Sequence, residues 1–159
     1  MSAWPRLLAG WACAGAVALG IGACTSVPQA SVAHDAEAKQ FHTHPNSATI
    51  YVYRPDLVHG PDAADSVLWM DSRLIGSTLP RTFFRIDARP GKRVLHGDGR
   101  DTGRLALDMT SGELYFVSLR VTDGISRFER VPPETGKRDI LRCCAMMENW
   151  APGQRPLLR

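Results

Sequence analysis

Short runs of β-branched and aromatic residues recur through the middle of the chain, separated by clusters of Gly, Pro, Asp and Ser. Such runs are typical of β-strands, because these side chains pack well on a pleated sheet. Connections this short favour antiparallel pairing. The pattern predicts an antiparallel β-sandwich of about seven or eight strands, or a closely related barrel. The runs lie at 47–54, 66–78 with a turn at Asp71-Ser72, 81–88, 92–97, 103–109, 113–121 and 126–131.

One segment near the carboxyl end has a helical pattern instead. Ile140, Cys144 and Met147 recur at the spacing of one helix face within residues 134–150, and prolines precede and follow the segment. The sequence therefore predicts one C-terminal amphipathic helix laid against a mainly β domain.

The first 23 residues have the charge order of an export signal. Arg6 precedes an apolar run from Leu7 to Ala23 that contains no acidic residue. A retained transmembrane anchor is the alternative, although the run is somewhat shorter than the roughly 20 residues that a spanning helix needs. The run ends in Ile-Gly-Ala-Cys at 21–24, which resembles the bacterial lipobox. That resemblance implies cleavage before Cys24 and a lipid on its sulfur, and two or three acyl chains would hold a protein durably at a membrane.

The lipobox sets the predicted location and the domain boundaries. Thr25, not aspartate, follows the cysteine, and this resembles lipoproteins sent to the periplasmic face of the outer membrane. Residues 24–46 are mostly small and polar and are predicted to form a flexible tether. The β-sandwich and its helix follow at 47–150, and residues 151–159 form a tail. Histidines at 42 and 44 have the spacing of a metal-ligand pair, but no third ligand is nearby, and we expect no metal site.

Length and charge exclude some classes of partner. A chain of 159 residues has about the length of one domain. Its formal net charge is +3, and its basic residues are spread along the sequence. Because phosphate binding needs clustered cations, we expect no nucleic-acid partner.

Four segments resemble a known family of prokaryotic lipoproteins, the domain of unknown function 2846. They are a first strand ending in Tyr53-Arg54, the hairpin "VLWMDSRLIGST", the Pro90-Gly91 turn and the strand "GELYFVSLR". The hairpin and the turn also resemble a PEGA-type sandwich module. Ser72 departs from the glycine that often follows the hairpin aspartate. The resemblance implies a β-sandwich in the cell envelope and implies no activity.

The cysteines of the mature chain suggest different roles. Cys143 and Cys144 point about 100° apart on a helix, so no internal disulfide is expected between them. Cys144 is predicted to be a small core residue. Cys143 is a candidate redox thiol or a partner in an intermolecular disulfide.

No catalytic set or cofactor motif is evident, so a noncatalytic binding or scaffolding module is predicted, with Tyr51, Tyr53 and Trp69 as its candidate binding surface. The expected partners are the membrane, through the lipid, and an envelope protein or cell-wall component. The alternative is a small-ligand or hydrolytic site in a cleft near His96 and Asp98, although a Gly-Asp-Gly sequence between strands is typical of a turn.

Overall fold

The computed structural model describes residues 29–55 and 66–148, which form two β-sheets and two helices. The predicted mainly β fold with a C-terminal helix is confirmed. The elements are α1 (Val32–Ala38), β1 (Ala48–Arg54), β2 (Ser66–Met70), β3 (Arg73–Thr78), β4 (Thr82–Ala88), β5 (Gly91–His96), β6 (Arg104–Met109), β7 (Leu114–Thr122), β8 (Ile125–Val131), α2 (Pro133–Cys143) and β9 (Ala145–Met146).

The two sheets pack face to face as a β-sandwich. The first has five strands in the order β8-β7-β1-β4-β9, and the second has four in the order β3-β2-β5-β6. Alternate residues of each strand enter the core, as the two-residue period of a strand requires. The core side chains include Ile50, Val52, Phe84, Ile86, Val117 and Leu119 from the first sheet and Leu68, Met70, Ile75, Leu95, Leu107 and Met109 from the second.

Pairing follows the prediction for strands joined by short turns and departs from it elsewhere. β2–β3, β5–β6 and β7–β8 are antiparallel hairpins, and Asp71-Ser72 forms the first turn. However, β1 pairs with β7 in parallel, and β4 pairs with β9 in parallel. The prediction of purely antiparallel pairing was wrong because these partners are far apart in the chain. A short connection constrains only the strands that it joins.

A layer of helices covers the side of the five-stranded sheet that points away from the sandwich core. Every residue of β1 is buried, so the strand is enclosed on both faces. A second apolar cluster lies between this sheet and the helices, separate from the sandwich core. Its buried members are Ala38, Tyr51, Tyr53, Phe83, Phe116, Ile140 and Cys144.

The described part of the predicted tether belongs to this layer. Residues 29–46 include α1, and Phe41 packs edge-on against Tyr51 at 5.2 Å between ring centroids. Gln29 forms a β-bridge with Met147, and the Ala30 amide donates to the Met146 carbonyl at 3.0 Å. The prediction of a flexible tether through residue 46 was therefore wrong over this stretch. The sequence is mostly small and polar, but Ala38 and Phe41 within it pack against the sheet.

The C-terminal helix is shorter than residues 134–150. It ends at Cys143, and Cys144 has extended backbone angles of φ −123° and ψ 140°. The chain then adds β9 to the edge of the sheet. Ile140, Cys144 and Met147 are all buried as predicted, although only Ile140 is helical.

Several predictions fall outside the described residues. These are the signal peptide at 1–23, the lipid site at Cys24 and the tail at 151–159. Within the two described ranges, no helix is both long and apolar enough to cross a membrane.

Candidate functional site

Tyr51 and Tyr53 do not lie on an exposed surface. Both are essentially inaccessible, at 0% and 1% exposure. The Tyr51 hydroxyl donates to the Ala38 carbonyl at 2.8 Å, and the Tyr53 hydroxyl donates to the Asp139 carboxylate at 2.9 Å. Burial raises the pKa of Tyr51 to about 12. Burial and the bond to Asp139 also raise the pKa of Tyr53.

The prediction that these tyrosines form a binding surface was wrong for a topological reason. Their strand, β1, is central in its sheet, and both helices lie over the face that carries the two rings. The two hydroxyls instead fix the helical layer to the sheet, because each bonds to a different covering segment.

Trp69 occupies a different face, the outer side of the four-stranded sheet. It is half-buried in β2 and stacks on His96 of β5, with ring centroids 6.2 Å apart and planes 10° apart. The two residues are register partners, so the stack follows directly from the pairing of β2 with β5. The indole Nε1 is buried and has no hydrogen-bond partner among the described residues.

The surroundings of the stack are mixed in character. We call this surface the outer face, defined by Val67, Trp69, Leu74, Val94, His96 and Ala106 with the charged residues Lys92, Arg104 and Asp108 at its margin. Strand register places these side chains opposite the core residues of the same strands. The face therefore combines a small apolar centre with polar edges, which is typical of protein-binding surfaces.

Asp71 holds one end of the outer face in place. Its carboxylate accepts from the Val94 amide at 2.9 Å and pairs with Arg93 at 3.2 Å. The Asp71 amide donates to the Val94 carbonyl at 2.8 Å. These bonds join the β2–β3 turn to β5. They therefore reinforce the β2–β5 pairing that places Trp69 against His96.

His96 and Asp98 do not form a joint site. The His96 ring nitrogens lie 2.6 Å from the Gly97 carbonyl and 2.7 Å from the Asp71 carbonyl. A neutral imidazole donates to only one of these oxygens, whereas a protonated ring donates to both. Asp98 is exposed in the β5–β6 loop, and its carbonyl accepts from the Asp101 amide. Neither ring nitrogen is therefore turned toward a general acid–base partner at Asp98.

Sequence reasoning missed Asp101, the most densely bonded carboxylate of this loop. One oxygen accepts from the amides of Ser126 at 2.8 Å and Gly103 at 2.9 Å, and the other accepts from the Ser66 hydroxyl at 3.1 Å. Burial disfavours the charged form, but these hydrogen bonds outweigh it and hold the pKa of Asp101 below its usual value. The sequence around Asp101 does not reveal this role, since two of its three donors come from the distant strands β2 and β8.

The close approach at this loop also depends on Gly103. A Cβ atom at that position would overlap the Ser126 carbonyl. Asp101, Ser66 and Ser126 therefore form a junction between the two sheets, with the two hydroxyls 2.7 Å apart. Because the carboxylate is fully engaged with donors of the protein, the junction has a structural role.

Cys143 and Cys144 are joined in a disulfide between neighbouring residues. The expectation of no internal disulfide was wrong because the helix ends between them, so the 100° helical separation of their side chains does not apply. Cys143 is half-buried and Cys144 is buried, in agreement with the core role predicted for Cys144. Bonding to Cys144 occupies the Cys143 sulfur that an intermolecular disulfide would use.

The histidine pair at 42 and 44 is exposed, and His44 Nδ1 accepts from the Asn46 amide at 3.3 Å. Over the described ranges, no three His, Cys, Asp or Glu side chains are grouped so that they could hold a metal ion.

Comparison with known proteins adds one relative. No family model matches the chain, and the resemblance to domain of unknown function 2846 stays a prediction. The chain is similar to an uncharacterized protein of Haemophilus influenzae, with 29% identity over 130 residues. The similarity covers 78% of this chain and 76% of that protein.

Proposed function

We propose that the protein is a lipid-anchored envelope lipoprotein whose sandwich domain binds or scaffolds other envelope components without catalysis. The support for the anchor is the ordered sequence of Arg6, the apolar run and the Ile-Gly-Ala-Cys segment ending at Cys24. Thr25 after the cysteine supports a position on the periplasmic face of the outer membrane.

The outer face is the proposed binding surface, and the Trp69–His96 stack is the observation that supports it best. Tryptophan is enriched at the energetic centre of protein interfaces, where a large rigid ring buries area at little entropic cost. The helical layer lies on the opposite side of the molecule. The five-stranded sheet is therefore covered by helices, whereas the four-stranded sheet carries Trp69 on its surface.

The noncatalytic part of the proposal is supported by how the polar side chains are used. Both His96 nitrogens contact backbone carbonyls, and the Asp101 carboxylate is engaged by three donors. Tyr53 and Asp139 bond to each other beneath α2. A hydrolytic centre needs a nucleophile beside a free base. Each of these groups is instead hydrogen-bonded to another part of the protein.

The anchor is tested by metabolic labelling with an alkyne-bearing fatty acid. The native chain is expected to take up the label, and Cys24→Ala is expected to lose it. Cys13→Ser is the matched control, since Cys13 lies within the predicted leader, and it should label like the native chain. Equal labelling of Cys24→Ala and native protein would refute the anchor.

The binding surface is tested by photo-cross-linking in intact envelopes. A photoreactive residue at Leu74, on the outer face, is expected to give a discrete product that Trp69→Ala abolishes while the protein stays in the membrane fraction. The same probe at the exposed Glu129 of β8 is the control. Matching products from both positions, or a Leu74 product that survives Trp69→Ala, would count against the outer face.

A further inference from the structure

The Cys143–Cys144 disulfide joins neighbouring residues, so it ties no distant parts of the chain together. A disulfide stabilises a fold mainly by restricting the unfolded chain, and this effect grows with the number of residues in the closed loop. No residue lies between Cys143 and Cys144, so the bond adds little restriction of this kind. Stabilisation of the fold therefore does not account for this disulfide, and its sulfur chemistry is the property that remains to explain it.

Hydrogen bonds hold both cysteines in place independently of the disulfide. The Cys144 amide donates to the Ile140 carbonyl at 3.1 Å, and Arg81 Nε donates to the Cys143 carbonyl at 3.3 Å. The Ala145 amide, at the start of β9, donates to the Arg81 carbonyl at 3.0 Å. Because none of these bonds involves a sulfur atom, the junction between α2 and β9 can keep its structure when the S–S bond is broken.

The two cysteines differ in accessibility. Cys143 is the last residue of α2 and is half-buried, whereas Cys144 is only 5% exposed and belongs to the cluster beneath the helices. Thiol–disulfide exchange begins when a thiolate attacks one sulfur and the other sulfur leaves. Accessibility therefore favours attack on Cys143 Sγ, with Cys144 Sγ as the leaving group.

The buried Cys144 sulfur has a hydrogen-bond acceptor within reach. Its Sγ lies 3.9 Å from the Arg54 carbonyl oxygen, a distance that a weak S–H donor can bridge. A sulfur in a disulfide carries no hydrogen, so this oxygen can accept from Cys144 only after the S–S bond is broken. The surroundings of Cys144 therefore suit the free thiol as well as the disulfide.

Two exposed arginines add positive charge beside the disulfide. Arg81 bonds to the Cys143 carbonyl, and Arg142 directly precedes Cys143 in the chain. The carboxylate one helical turn earlier, Asp139, lies 3.5 Å from Arg138. Because a thiolate is an anion, positive charge at this end of α2 favours its approach to the disulfide.

We propose that the Cys143–Cys144 disulfide is a redox-active site that is reduced by a protein dithiol. One thiolate of the dithiol attacks Cys143 Sγ, so a mixed disulfide forms, the bond to Cys144 breaks, and Cys144 leaves as a thiolate that takes up a proton. The second thiol of the dithiol, as its thiolate, then attacks the dithiol's own sulfur in the mixed disulfide and releases Cys143. The dithiol becomes a disulfide, and its two electrons and two protons are gained by Cys143 and Cys144. This site is separate from the outer face and does not depend on binding there.

The first test treats the full-length protein with an excess of reduced thioredoxin, which serves as the protein dithiol. Trypsin cleaves after Arg142, so mass spectrometry of peptide 143–159 follows this pair separately from Cys13 and Cys24. We expect the peptide to change from disulfide to dithiol while circular dichroism remains that of the folded domain. A disulfide that resists thioredoxin until urea unfolds the domain would overturn the proposal.

Stability measurements distinguish a redox-active disulfide from a structural one. The urea midpoint of the native protein is expected to fall by less than about 10% on reduction, because breaking the bond opens no loop of intervening residues. A larger fall would show that the bond stabilises the fold and would count against the proposal.

Single-cysteine variants test which sulfur is attacked. Oxidised glutathione is expected to modify Cys144→Ser, which keeps Cys143, at least about tenfold faster than Cys143→Ser, which keeps the buried Cys144. Circular dichroism verifies that both variants are folded, and the thioredoxin test on the native protein does not depend on them. Equal rates, or faster modification of Cys143→Ser, would contradict attack at Cys143.

Discussion

At the scale of single residues, the polar groups with the most contacts stabilise the fold. Asp101 joins the start of β2, the β5–β6 loop and the start of β8 through bonds to Ser66, Gly103 and Ser126. Tyr51 and Tyr53 join β1 to the covering segments in the same way. A buried or half-buried polar group that loses such partners lowers the free energy of unfolding. We therefore expect substitutions of these residues to reduce stability.

Asp101→Asn is expected to destabilise the domain by about 1–2 kcal/mol at pH 7, because a neutral amide accepts weaker hydrogen bonds than a carboxylate. The pKa of Asp101 is lowered in the fold, so its ionised form favours folding. That contribution is complete above the unfolded-state pKa of about 3.9 and disappears as the pH falls through the lower folded-state value. Urea unfolding at pH 7 and near pH 3 should show the native–variant difference shrinking in acid.

Asp98→Asn is the matched control for this prediction, since Asp98 is exposed in the same loop. It should change the unfolding free energy by less than about 0.5 kcal/mol. A difference between native protein and Asp101→Asn that stayed constant across the pH range would show that charge is not the cause.

At the scale of elements, the contact between α2 and the sheet depends on one small residue. Gly136 is buried in α2 directly over Phe116 of β7. A Cβ atom there would overlap the Phe116 side chain. The Phe116 ring also packs against the rings of Tyr51 and Phe41. The helix approaches the sheet closely because this position has no side chain.

Gly136→Ala is therefore expected to lower stability by about 1–3 kcal/mol, although alanine is the better helix former by about 1 kcal/mol. Arg138→Ala, an exposed substitution in the same helix, should be nearly neutral. Thermal unfolding followed by circular dichroism measures both. A more stable Gly136→Ala variant would mean that α2 can move away from Phe116 without loss.

The sequence predicted those elements whose signal is local. The alternation of apolar and polar residues located the strands, and the residue types at Asp71-Ser72 located the turn. Both signals depend on only a few neighbouring residues. They could not predict the parallel pairing of β1 with β7, which depends on contacts between distant segments. Tyr51 and Tyr53 were assigned to the wrong environment for the same reason. Nothing near them in the chain shows that two helices will cover that face, and only the strand pairing shows that Trp69 will meet His96.

At the scale of the whole molecule, the domain extends further toward the amino terminus than its strands suggest. Residues 29–46 supply Ala38 and Phe41 to the cluster beneath the helices and bond to β9 through Ala30. Residues 29–46 are therefore part of the folded unit, and the sandwich from residue 47 onward is incomplete without them.

A nonlipidated chain that begins at residue 47 is expected to lose at least about 3 kcal/mol of stability relative to one that begins at residue 25, since removing Phe41 alone deletes a packed aromatic side chain. It should also bind a hydrophobic dye through the uncovered Tyr51 and Phe116 region. A chain that begins at residue 25 and carries His42→Ala, an exposed substitution in the same segment, is the control and should keep the stability of the longer form. Equal urea midpoints for the chains that begin at residues 25 and 47 would restore the view of residues 29–46 as a tether.

The parallel pairing of β1 with β7 also determines when this protein can finish folding. A chain that emerges from a ribosome or an export channel amino terminus first presents β1 long before β7, whose pairing begins at Leu114. Until then, one edge of the most buried strand has no neighbour, and an open apolar strand edge favours aggregation. β9 closes the opposite side of the sheet only at Ala145. The domain therefore completes its fold after nearly all of its residues have emerged, and a chaperone that shields β1 during that interval would raise the yield of native protein.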